Sequence, residues 1–262
     1  MIKANNVVVD VNHFPDGTLL LKRGVNQYDV EPFLIEWYFE NNEELVALIF
    51  LTKHLYSCGV KQIKLYMPYI PNARQDRVKT NDDIFTLKYF AEVINSLNFC
   101  RVVVCDPHSY VSEALFDRIT VLHPTLEISK AITKCDPDLL FYPDEGAMKR
   151  YSANADMEYV FGLKRRDWAT GKIQGLDVVG DVEKIKGKKI LIIDDICSKG
   201  GTFYHSAKKL RELGASEVYL YITHCENTIF EGELLTTDLI DKIYTTNSIL
   251  TKTHEKIEVF EI

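Results

Sequence analysis

The chain of 262 residues has six cysteines (Cys58, Cys100, Cys105, Cys135, Cys197 and Cys225) but no C-x-x-C pair and no zinc-like spacing among them. That removes the common zinc and dithiol readings, and free thiols suit a reducing cytoplasm. No apolar run approaches the ~20 residues that cross a bilayer, and LVALIFL at 45–51 is far too short. Met1-Ile2-Lys3-Ala4-Asn5-Asn6 leads straight into a strand-like run, so no signal peptide is expected. Positive charge is in deficit: 31 Lys and Arg stand against 38 Asp and Glu, a formal net charge of −7. General nucleic-acid binding is therefore not expected. The P-loop order G-x-x-x-x-G-K-[ST] is absent. Low-complexity segments and short-period repeats are absent too. What remains is ordinary globular composition, 46% hydrophobic and 26% charged, long enough for one large domain or two ordinary ones.

Strand-like and helix-like segments alternate. Helices are expected over Asn42–Leu55, Asp82–Leu97, Leu126–Lys134 and Glu145–Tyr151, and from about Thr202 to Leu213. Strands are expected over Lys61–Met67, Arg101–Asp106, Leu139–Pro143, Met157–Leu163, Leu176–Gly180, Lys188–Ile193, Ser216–His224 and Lys256–Ile262. This alternation predicts an α/β fold, with mainly parallel sheets covered by helices on both faces. A domain boundary is expected near residue 123, dividing the chain into 1–123 and 124–262.

One stretch sets the chemical question: KKILIIDDICSKGGTFYHSAKKL, from Lys188. Two carboxylates, Asp194 and Asp195, close an apolar strand, where like charges repel and resist desolvation. Beyond them Ser198-Lys199-Gly200-Gly201-Thr202 has the opposite character. Glycines allow close backbone approach, and a helix beginning near Thr202 adds a partial positive charge. An acid pair beside an anion cradle suits a ligand with vicinal hydroxyls and a phosphate, such as a ribose 5-phosphate. The competing reading is a turn-forming Asp pair that caps a helix, with ordinary loop glycines.

Three other strand ends are polar: Arg74, Gln75 and Arg77 after Lys61–Met67, Asp106 and His108 after Arg101–Cys105, and Asp144 and Arg150 after Leu139–Tyr142. Ligands of open α/β sheets sit at such ends.

Taken in order, these segments resemble the ribose-phosphate diphosphokinase (PRPP synthetase) family. Phe14-Pro15-Asp16-Gly17 resembles its F-x-D-G, and MPYIPNARQDR its P-Y-x-x-x-A-R-Q-D-R. DPHSYVSEALFD resembles D-L-H-x-x-Q-I-x-G-F-F-D, and PDEGAMKR resembles P-D-x-G-G-x-x-R. Lys164-Arg165-Arg166 is similar to a K-R-R on a mobile loop, and IIDDICSKGGT to V-D-D-x-x-D-T-G-G-T. The resemblance implies two phosphoribosyltransferase-like (Rossmann-like) domains, the first on the ATP side and the second on the ribose-phosphate side. It implies that Lys164, Arg166 and His108 act in catalysis, and that His108 and Asp144 organise Mg²⁺. Arg74, Gln75 and Arg77 would hold ATP, with Phe14 and Asp16 reaching adenine from a neighbouring subunit of a homodimer or larger homo-oligomer. Asp194 and Asp195 would take the ribose hydroxyls, and Ser198, Lys199, Gly200, Gly201 and Thr202 the 5-phosphate.

The chain departs from the family pattern at Thr18, at Ala147, at Ser198-Lys199 (where D-T is usual) and at Asp167-Trp168 after the K-R-R. Lys199 would add a mobile cation beside the anion site, suited to tighter monophosphate binding or to a diphosphate-bearing acceptor such as ADP-ribose. Alternatives at this point are diphosphate transfer to that larger acceptor, a type I phosphoribosyltransferase, and a non-catalytic regulatory relative. The second leaves ARQDR and DPHS unexplained, and the third is expected to lose Lys164 or His108.

Overall fold

The computed structural model describes residues 1–22, 31–166 and 173–262. The chain divides into two compact units, Met1–His123 and Pro124–Ile262.

In the amino-terminal unit the strands are β1 (Ile2–Ala4), β2 (Val7–Val8), β3 (Asp10–His13), β4 (Leu19–Lys22), β5 (Phe33–Trp37), β6 (Ile63–Tyr66), β7 (Arg101–Cys105) and β8 (Ile119–Leu122). The helices are α1 (Glu43–Ser57), α2 (Thr86–Ser96) and the short α3 (Tyr110–Leu115). The sheet order is β2-β1-β5-β6-β7-β8, parallel from β5 to β8, while β3 and β4 form a separate antiparallel hairpin. Ile35, Leu65, Val102 and Val104 meet Leu48, Leu51, Leu87, Phe90 and Ile94 in one apolar core. Helix α2 begins later than the expected Asp82. The Asp83 carboxylate accepts from the backbone N–H groups of Lys79 and Thr80 at 2.9 and 2.8 Å, folding 79–83 as a turn and leaving Ile84 exposed.

The carboxy-terminal unit holds α4 (Thr125–Cys135), β9 (Leu139–Tyr142), α5 (Glu145–Tyr151), β10 (Tyr159–Arg166), β11 (Ile173–Val179), β12 (Lys189–Cys197), α6 (Gly201–Glu212), β13 (Glu217–Cys225), β14 (Lys242–Thr246) and β15 (Ile257–Phe260). The order β11-β10-β9-β12-β13-β14-β15 is parallel apart from β11. Side chains alternate along β12 as the pleat requires. Ile190 and Ile192 pack with Phe203, Ala207 and Leu210 of α6, while Leu191 and Ile193 pack with Ile128, Ala147 and Tyr151 of α4 and α5. The sheet is thus covered on both faces.

Two expectations change here. β12 does not stop before the acid pair: it runs through both aspartates, its ladder to β13 continuing to Cys197 opposite Cys225. Nor do Lys164 and Arg166 lie in a connection between strands. Their backbone belongs to β10, with Lys164 opposite Leu176 and Arg166 opposite Ile173 of β11, and a register shift between Arg165 and Arg166. A polar run reads as loop, but antiparallel pairing holds it extended. The side chains of Lys164 and Arg166, and all of Asp167-Trp168, lie outside the described residues. Among the described residues no helix is long and apolar enough to cross a membrane, and all six thiols are free.

Candidate active site

In the carboxy-terminal unit the chain makes β9, adds β10 on one side, and then crosses to place β12 on the other side of β9. The strand order therefore reverses between β9 and β12, and in open α/β sheets the crevice at the carboxyl ends of such strands takes the ligand. β9 ends there in Pro143-Asp144. β12 ends there in the acid pair and the Ser198–Thr202 turn.

Asp144 is the N-cap of α5, its Oδ1 accepting from the backbone N–H of Ala147 at 3.0 Å, which satisfies a helix-end donor. Asp194 is half-buried and Asp195 is buried. The backbone N–H of Asp195 donates to Asp194 Oδ1 at 3.0 Å, and Arg150, at the end of α5, pairs with Asp195 Oδ2 at 2.9 Å. Burial, followed by the negative charges of Asp195 and Asp144, pushes the Asp194 carboxyl well above the ordinary carboxylate range. Carboxylates this crowded favour a ligand that brings hydroxyl protons or a cation.

The turn that follows is shaped from outside. Gly200 has φ +82°, and a Cβ there would lie 2.2 Å from Leu234 Cδ1. A Cβ on Gly232 would lie 1.9 Å from the Lys199 carbonyl oxygen. The 232–234 segment is thus packed hard against the back of the turn, and only glycine fits at either contact. A Cβ on Gly201 meets nothing within 4 Å, so the start of α6 stands open. With its N-terminal N–H groups and dipole, a twelve-residue helix beginning at such a turn is suited to an anion. The Lys199 ammonium lies 2.9 Å from Glu231 Oε2, with both side chains more than half exposed. Its hydrogen bond and charge lower the pKa of Glu231.

In the amino-terminal unit, β6 and β7 are parallel neighbours, so the segments that follow them leave from one edge. Arg74 and Gln75 are exposed in the segment after β6, and the Thr86 hydroxyl donates to Gln75 Oε1 at 2.7 Å. Between them and the exposed Arg77 sits Asp76, buried, accepting from Arg77 Nε at 2.8 Å. Burial raises the Asp76 pKa, but the Arg77 hydrogen bond, the Ser109 side chain and the charges of Arg77 and nearby His108 outweigh it, so the carboxyl ends below its ordinary value. His108, half-buried after β7, is thereby set beside the ARQDR segment. The hairpin β3–β4 carries Phe14 and Asp16 at its exposed tip, where the Thr18 N–H and hydroxyl both donate to Asp16 Oδ1, at 3.0 and 2.7 Å. Those bonds lower the Asp16 pKa.

Residues 2–97 match the N-terminal domain of ribose phosphate pyrophosphokinase, and residues 165–262 match the phosphoribosyl synthetase-associated domain. The ribose-phosphate pyrophosphokinase of Shewanella oneidensis is 30% identical over 252 residues, covering 91% of this chain and 78% of that protein. The Pyrococcus furiosus protein of the same name is 30% identical over 258 residues, covering 95% and 88%. The chain belongs to the ribose-phosphate pyrophosphokinase family. A crystal structure of phosphoribosylpyrophosphate synthetase from Mycobacterium smegmatis shares the fold, with a TM-score of 0.78 at 21% identity over 98% of this chain and 88% of that one. The α/β architecture of mainly parallel sheets is the one the alternating pattern predicted.

In this family member, Asp194, Asp195 and the glycine turn stand together at the strand-order reversal, with Asp144 close enough to act on Asp194. Arg74, Gln75, Arg77 and His108 share one edge of the other sheet. Among the described residues, no group of three or more His, Cys, Asp or Glu side chains converges to hold a metal ion. Magnesium commonly takes one or two carboxylates together with substrate phosphates and water, so Asp144, with its hard oxygen donors, still fits that role. Asp76 is the partner that sequence reasoning left out of the site, and Arg150, named there as a strand-end residue, was given no partner. Asp76 lies inside the quoted ARQDR, and Arg150 closes the quoted PDEGAMKR. The motifs contained both residues, but pairing and burial require the fold.

Proposed function

We propose that this chain transfers diphosphate from ATP to the 1-hydroxyl of ribose 5-phosphate, giving PRPP and AMP. The observation that carries the reading is the acid pair with the glycine turn at the carboxyl end of β12, where the strand order reverses. Asp194 and Asp195 accept the two ribose hydroxyls, and Ser198–Thr202 with the start of α6 receives the 5-phosphate. This fixes the sugar at both ends and orients its 1-hydroxyl, the alignment that a displacement at phosphorus requires. Arg74, Gln75 and Arg77 hold ATP, and Phe14 with Asp16 meets adenine from a neighbouring subunit. Lys164 and Arg166 stabilise charge on the transferring diphosphate. His108 and Asp144 are the candidates to hold magnesium, which when bound screens the phosphate charge. The β-phosphorus–oxygen bond to AMP breaks as the bond to the sugar oxygen forms; the 1-hydroxyl gives up its proton to water, and AMP departs with the electron pair.

The Lys199–Glu231 pair bears on the acceptor. A lysine already held by a carboxylate adds little attraction for a second phosphate, which favours ribose 5-phosphate over ADP-ribose. The test is incubation with Mg-ATP and each acceptor in turn, with products identified by mass. AMP and PRPP formed from ribose 5-phosphate support the reading. Turnover with ADP-ribose alone, or release of pyrophosphate with a base acceptor, contradicts it.

A further inference from the structure

Helix α5 is fastened at both ends. Its first turn is capped by Asp144, and its last residues carry Arg150 and Tyr151. Tyr151 is fully buried, and the Arg150 guanidinium lies over its ring, 5.6 Å from the centroid, with Nη1 3.5 Å from the phenol oxygen. The same guanidinium reaches Asp195 Oδ2 at 2.9 Å, with the two side chains 25% and 7% exposed. The alternation along β12 explains why these residues meet: Leu191 and Ile193 face α5, so Asp195 does too, whereas Asp194 shares the parity of Ile190 and Ile192, which face α6. Asp194 Oδ1 accepts from the backbone N–H of Asp195, and the Asp195 side chain also interacts with the Asp194 carboxyl. Of the two carboxylates, Asp195 is thus the one that the arginine over Tyr151 reaches.

We infer that Arg150 is a positioning residue for the acceptor sugar: through its hydrogen bond to Asp195 it sets the rotamer and charge of the carboxylate that receives one ribose hydroxyl. This rests on the function proposed above. Arg150 touches no reacting atom. Its effect therefore falls on recognition of the diol and not on the phosphate turn, which is built by Gly200, Leu234 and the start of α6.

The experiment is calorimetric titration of wild type, Arg150→Met and Arg150→Lys with two probes, ribose 5-phosphate and inorganic phosphate. Arg150→Met should weaken ribose 5-phosphate binding about tenfold or more, the loss expected for a charge-assisted hydrogen bond, and leave inorganic phosphate within about twofold. Lysine keeps the charge without the planar fork, so Arg150→Lys should fall between the two. Steady-state kinetics should show a raised KM for the sugar, with kcat and the KM for ATP nearly unchanged. Equal weakening of both probes would make Arg150 a merely structural residue and overturn the inference, as would unchanged sugar binding. If Arg150→Met does not fold, Arg150→Lys alone decides: a selective loss for the sugar supports the inference, and wild-type affinity for both probes overturns it. Absence of ribose 5-phosphate binding by the wild type would instead remove the underlying function.

Discussion

At Gly200 two independent demands fall on one residue, a positive φ and a collision with Leu234. Gly200→Ala should cost roughly 2 kcal/mol or more, part from the left-handed backbone and part from repacking Leu234. Urea unfolding measures it, and a change below about 0.5 kcal/mol would mean that the turn relaxes freely. Asp76 gives a prediction in pH. Its folded-state pKa lies below the ordinary carboxylate value, so its ionised form stabilises the fold above the unfolded-state pKa of about 4, and that contribution disappears as pH falls through the folded value. Asp76→Asn should therefore melt below the wild type near neutral pH, and the gap should close in acid; a gap independent of pH would contradict it. Sequence reasoning singled out Asp194 and Asp195 because like charges at the end of an apolar strand need a reason. It passed over Asp76 because a carboxylate among arginines looks solvated, and only burial distinguishes it.

Elements were legible where a period repeats and a breaker closes it. Helix α5 occupies the expected Glu145–Tyr151, because Asp144 is a capping residue after an apolar strand. Helix α2 lost its first expected residues to the Asp83 turn, since side-chain capture of a backbone N–H competes with helix formation and leaves no periodic trace. The strands Met157–Leu163 and Leu176–Gly180 were legible, but not the extension of β10 past Leu163: Lys164-Arg165-Arg166 owes its extended backbone to a partner strand, not to its own composition. In the proposed reaction Lys164, whose backbone is paired with β11, stabilises charge on the transferring diphosphate. Lys164→Ala should lower kcat about 10²-fold or more with a KM change of only a few-fold, the pattern of an interaction made in the transition state. A near-normal kcat would remove Lys164 from the chemistry.

The whole chain joins two units, each with its polar residues at the carboxyl ends of parallel strands. The hairpin tip bearing Phe14 and Asp16 is exposed, consistent with a role toward a neighbouring subunit. If that role holds, an inactive Phe14→Ala, Asp16→Ala double variant mixed with an inactive Lys164→Ala variant should regain activity through hybrid sites. Absence of rescue, where mass spectrometry shows subunit exchange, would contradict a shared site. The central claim, however, is which bond of ATP is broken. ATP labelled at the β-phosphorus, incubated with ribose 5-phosphate and magnesium, follows it directly. The account predicts that the label passes wholly into the sugar product and leaves AMP unlabelled; label retained in ADP would show transfer of a single phosphoryl group and contradict it.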